Sequence, residues 1–178
     1  MAEALGIVAS LAALIQLAGY AREFSSALYR FSKDAGIAMW EIQNFANNAR
    51  AFSHMVLAAD VSLRKFCREH SNSAVLAYIA RHRILDVIAE QSNVVRIDLM
   101  NAMERLKSRS GSRFPVVAYI KWTFQKNSVL ALFPAMESIK VDLQLMILIA
   151  MLETINTPAN LEPSSHQADK KDERDYEM

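Results

Sequence analysis

The sequence predicts an all-α fold: an elongated antiparallel bundle of four to five long helices followed by a disordered C-terminal tail. Three observations carry this expectation. Glycine and proline number only four each in 178 residues, too few for a many-stranded β architecture, which needs a turn about every 8–12 residues. Hydrophobic residues make up 52%, ample for one core in a chain of single-domain length. Apolar side chains recur at alternating intervals of three and four, the period of a packed helix face.

The first helix is expected from about Ala2 to Phe31. Val8, Leu11, Ile15 and Ala18 mark one stripe, and Leu17, Tyr20, Phe24, Ala27 and Phe31 a second. Two overlapping stripes make the first half apolar almost all round, so it must be covered on more than one side. The second helix is expected from near Asp34, a suitable N-cap, to the polar cluster at His70–Ser73. Ile42, Phe45, Ala49, Phe52, Val56, Ala59, Leu63 and Phe66 give it an a/d-type seam of about four heptads. Large and small residues alternate there, which suits interdigitation with a partner helix.

The third helix is expected to run unbroken to about Lys107, with Ile84, Ile88, Val95, Leu99, Ala102 and Leu106 inward and Gln91 interrupting. The basic run 107–113 reads as a loop. A short helix follows over Phe114–Phe124, with Pro115 tolerated in its first turn, and Gln125–Ser128 reads as a joint. The last helix reaches about Ile155, with a kink at Pro134 or a restart that places Pro134 in the first turn. Met136, Ile139, Leu143, Met146 and Ala150 form its seam. Residues Leu143–Leu152 are apolar except for Gln144, more than one face requires. From Thr157 the pattern stops in a charged run, so residues 1–156 form one helical domain and 157–178 a disordered tail.

Twenty Lys and Arg against nineteen Asp and Glu leave a net charge of +1, with no general attraction to nucleic acid. Cys67 is the only cysteine, so no internal disulfide can form, which fits a reducing, cytoplasmic setting. Residues Ala4–Ala21 carry no charge, but the start Met1-Ala2-Glu3 lacks the positive region of a secretory signal. The segment is only moderately apolar and reads as a buried helix rather than a span.

No catalytic signature appears: there is no Walker A loop, no GxSxG elbow and no HExxH. Cys67 and His70 are spaced as CxxH, but no second pair accompanies them, and Cys67 reads as a small buried hydrophobe. Asp86 and Glu90 lie one turn apart without a Glu-x-x-His partner and read as a solvated face. Arg81, His82, Arg83, Arg105, Lys107, Arg109 and Arg113 read as surface charge, and the nine methionines as core filling. No enzyme activity, cofactor or metal is expected.

Two stretches resemble a known family. The opening MAEALGIVASLAALIQLAG resembles the start of the fungal N-terminal domain of STAND (NACHT/NB-ARC) proteins, the HeLo-like helical domains. The stretch IKWTFQKNSVLALFPAMESIKVDLQLMI is similar to the family's Lys-Trp-Pro-Phe-like element and following Leu-rich helix. Lys121, Trp122 and Phe124 match the element, although Thr123 stands where the family commonly has Pro. Val129, Leu130, Met136, Ile139, Leu143 and Leu145 match the helix. The resemblance implies a signalling role upstream of a nucleotide-binding module in an NLR-like receptor. Some relatives act as membrane-permeating cell-death effectors that use the N-terminal helix.

The expected function is therefore a non-catalytic helical adaptor in signal transduction, with protein partners or self-association and no nucleic acid. The expected associating part is helix one, through Leu5, Val8, Leu11, Leu14 and Ile15. Lys121, Trp122 and Phe124 form the expected structural joint, locked by Trp122 and Phe124. The alternative is an effector whose Leu5–Leu17 segment leaves the bundle for a membrane on activation. A site for catalysis or ligand carriage inside the bundle would require facing carboxylates or histidines in a deep polar pocket.

Overall fold

A computed structural model describes residues 2–34, 40–70, 72–107 and 115–156, without the side chains of 2–9, 34, 107, 115–118 and 121. Among the described residues the chain forms six helices and no strand: α1 (Ala2–Asp34), α2 (Trp40–Glu69), α3 (Ala74–Arg81), α4 (Ile84–Lys107), α5 (Pro115–Leu130) and α6 (Leu132–Asn156). The all-α bundle expected from the periodicity is what the chain adopts. At ~1.5 Å per residue, α1 alone is about 50 Å long. The tail from Thr157 and the basic loop lie outside the described residues.

α2 and α6 follow their sequence patterns. All eight seam residues of α2, from Ile42 to Phe66, are buried, and so are Met136, Ile139, Leu143, Met146 and Ala150 of α6. Each large side chain removed from water contributes roughly 1.5–3 kcal/mol, so these two seams supply much of the cohesion. Pro134 sits in the first turn of α6, where its missing N–H breaks no helical bond.

α1 packs against both α2 and α4, and α6 packs against the same two helices. The four long helices therefore form a ring in the order α1, α2, α6, α4. Cross-helix contacts give their directions. Ser53 Oγ donates to the carbonyl of Ala18 at 2.8 Å, and Tyr29 donates to Asn47, so α1 and α2 run antiparallel. Ser10 meets Asp86 and Arg96 lies 5.6 Å over the Tyr20 ring, so α1 and α4 run parallel. Small residues line the α1–α2 contact: Ala18, Ala21 and Ser25 on one side, and Ala46, Ala49 and Ser53 on the other, are all buried. Two backbones can approach closely there, and the buried Ser53 hydroxyl is tolerated because it finds the Ala18 carbonyl.

Because α2 and α4 stand diagonally, the chain must cross one end of the bundle between them. α3 makes that crossing and touches α1, α4 and α6. This corrects the expectation of one unbroken third helix. The break falls at His82–Arg83, where Arg83 takes φ 51, a left-handed cap conformation usually left to Gly or Asn. The change of direction shifts the inward register: Leu85 is buried where Ile84 was expected, and Ser92 fills the gap beside Gln91, its hydroxyl donating to the Ile88 carbonyl at 2.7 Å.

At the opposite end, α5 continues through Gln125–Ser128 and stops only at Ala131, so the expected joint lies three residues later. Gln125 and Lys126 are polar for a reason other than a turn. The Gln125 amide reaches the Arg105 carbonyl, and Lys126 pairs with Glu41 at 2.5 Å. Asp34, expected to cap α2, instead closes α1.

Candidate functional site

The residues singled out from sequence fall in three different environments. Leu11 and Leu14 of α1 are fully buried in the core shared with α2 and α4. Ile15 is 39% exposed, because it lies at the rim of the buried face, about 100° around the helix from Leu14. Leu5 and Val8 belong to α1, with side chains outside the described residues. Among its described side chains, Leu11 and Leu14 are thus core and Ile15 is not.

Trp122 is the anchor of the α5 joint. It is 1% exposed, packs against Phe31 and Phe45 at 6.1 and 5.9 Å between ring centroids, and donates its indole N–H to Glu41 at 3.4 Å. Lys126 and Trp122 hold the Glu41 carboxyl below the usual carboxylate range, the lysine being the larger cause. Phe124 does not share the locking role: it is 79% exposed. Two residues apart on a helix means about 200° of rotation, so Trp122 and Phe124 cannot face the same core. Lys121 has its side chain outside the described residues; Lys126 is the lysine that ties the joint to α2.

Asp86 is more than a solvated charge. It accepts from Arg83 and from Ser10, both at 2.8 Å, tying α4 to α1. Arg83 first, then Ser10, lowers its pKa. Glu90, one turn on, is exposed. Cys67 is half-buried, and burial pushes its thiol up. His70 stacks on Phe66 at 4.8 Å and its Nδ1 is buried without a hydrogen bond. Among the described residues no three His, Cys, Asp or Glu side chains could hold a metal ion, and no helix is long and apolar enough to cross a membrane.

Among the described residues an ordered apolar surface lies on α6, where the sequence showed an apolar excess. Val141, Leu145, Leu148, Leu152 and Ile155 are all exposed, Leu148 by 54% and Ile155 by 75%. Their intervals are four, three, four and three, so they form a second heptad seam. At about 100° per residue this seam lies on the opposite side of α6 from Met136, Ile139, Leu143, Met146 and Ala150. Ile149 and Met151 flank it and are exposed too. Together these side chains offer several hundred Å² of contiguous apolar surface, at or above the ~300–600 Å² that is ordinary for a monomer's largest patch. Composition alone flagged the excess; reading the residues left over once the inner seam is removed would have found its order.

The last turn of α6 is held on its flank. Glu153 accepts from the Ala74 amide at 2.8 Å, from the Val75 amide at 3.4 Å and from the Ser73 hydroxyl. A carboxylate there satisfies free amides at the start of α3 and complements the helix dipole. Comparison with known protein families, curated proteins and solved structures found no match.

Proposed function

We propose that this chain is a non-catalytic helical interaction module, and that it binds helical protein surfaces through the outward seam of α6. The single observation that carries this is the unbroken 4-3-4-3 spacing of exposed Val141, Leu145, Leu148, Leu152 and Ile155. A seam with that period can receive the knobs of another α-helix. This moves the associating surface from α1, where sequence placed it, to α6. The reading is compatible with the adaptor role that the resemblance to fungal STAND N-terminal domains implies.

Action by α1 on a membrane would require Leu11, Leu14 and Leu17 to leave the core together, so the rest of the bundle would have to open first. The α6 seam needs no such opening.

The test is a titration of the ¹⁵N-labelled chain with a synthetic amphipathic helix carrying leucine at its a and d positions. Resonance shifts centred on residues 141–155, lost in Leu148→Glu, are expected. Shifts that are absent at high micromolar peptide from a chain that is monomeric at that concentration, or that survive Leu148→Glu, would overturn the proposal.

A further inference from the structure

Resting on that reading, we infer that the occupant of the α6 seam is the same seam of a second copy, packed antiparallel. Two arguments identify the occupant. The first is area. The exposed parts of Val141, Leu145, Leu148, Ile149, Met151, Leu152 and Ile155 amount to something on the order of 700 Å² per copy, against about 800 Å² per partner in a standard-sized specific interface. A two-fold contact through this one face would thus approach the size of a standard interface, and isologous contacts are the commonest way to close an assembly.

The second argument is charge. With Val141, Leu148 and Ile155 at d and Leu145 and Leu152 at a, the flanking e positions are Asp142 and Ile149, and the g positions are Glu137, Gln144 and Met151. In a parallel pair, each g residue faces the e residue of the partner's next heptad. Glu137 would then face Asp142 of the other copy, twice, as like charges. In an antiparallel pair, g faces g and e faces e: Gln144 meets Met151, and Asp142 meets Ile149. No like charges oppose each other. Core layers then bring Val141 opposite Leu152 and Leu145 opposite Leu148, each twice by symmetry, with Ser138 and Ile155 closing both ends. Every central layer is apolar on both sides.

The experiment uses the full chain in a Cys67→Ser background. Sedimentation equilibrium should show a dimer, and Leu148→Glu should weaken it at least tenfold, while at dilutions where both chains are monomeric its melting temperature stays close to the parent's, because the side chain is already half in water. Val141→Cys and Leu152→Cys chains, mixed and oxidised, should give the mixed disulfide dimer. Disulfides of Val141→Cys with itself would overturn the antiparallel arrangement. A monomer at high micromolar concentration, or a dimer indifferent to Leu148→Glu, would overturn self-association through α6. If the chain is monomeric yet still binds the synthetic helix in the titration above, docking at the seam survives and only the second copy is excluded; if it does neither, both fail.

Discussion

α1 and α6 look alike in sequence and end differently in the fold. Both are apolar beyond what one helix face requires. α1 is covered by α2 on one side and α4 on the other, so Leu11, Leu14 and Leu17 disappear into the core. α6 meets the same two helices, but both lie toward one side of it, and Leu145, Leu148 and Leu152 remain exposed. An apolar excess in a sequence thus signals that a second covering is needed. It does not say whether the chain supplies that covering itself.

Four measurements would break or sharpen this contrast. The largest effect belongs to the joint that closes one end of the ring. Trp122→Ala should cost roughly 3–5 kcal/mol, whereas Phe124→Ala, two residues on and exposed, should stay within about 0.5 kcal/mol; denaturant unfolding of the two variants reads both. Next comes the pair of leucines on the two faces of α6. Leu143→Ala should cost about 2–5 kcal/mol, and Leu145→Ala well under 1 kcal/mol in the monomer. Equal losses would mean that both faces of α6 are covered within one chain.

The third concerns the close α1–α2 contact. Ser53→Ala removes a buried donor from the Ala18 carbonyl and should cost about 0.5–1.5 kcal/mol; no change would show that packing alone holds the pair. The smallest effect is on acid stability. Glu41 and Asp86 both have folded pKa values below their ordinary ones. Their contribution is therefore present above the ordinary carboxylate range and lost as pH falls through the lowered folded values. The melting temperature should drop on acidification through that range, and the drop should be shallower in the Glu41→Gln, Asp86→Asn double variant.

Much of this architecture could be read from sequence, and the exceptions have physical causes. The seams of α2 and α6 were legible because each residue lies at a three- or four-residue step with its partners buried. The α3–α4 break was not, because residues 74–107 contain neither glycine nor proline; the turn is imposed by the need to reach a diagonal neighbour, and Arg83 adopts a left-handed backbone to make it. The ring order was equally hidden, since periodicity reveals that a face is covered but not by which helix. At Gln125–Ser128 a polar run looked like a joint, yet Gln125 and Lys126 are polar because their side chains bond across to α4 and α2. The joint residues divided for a simpler reason: Trp122 and Phe124 are adjacent in a motif but on opposite sides of a helix. For the candidate site, sequence revealed the surplus on α6 but not its order, because only the assembled ring shows which of its side chains stay uncovered.

The clasp made by Glu153 gives the α6 surface a reach beyond its own helix. Its carboxylate grips the opening amides of α3 one residue after Leu152, and α3 is the bar laid across the mouth of the bundle beside α1. Anything that seizes Leu152 and Ile155 therefore has a hand on that bar as well. Deuterium uptake at the Ala74 and Val75 amides would report the grip from outside, slowing when the seam is occupied and quickening in Glu153→Gln.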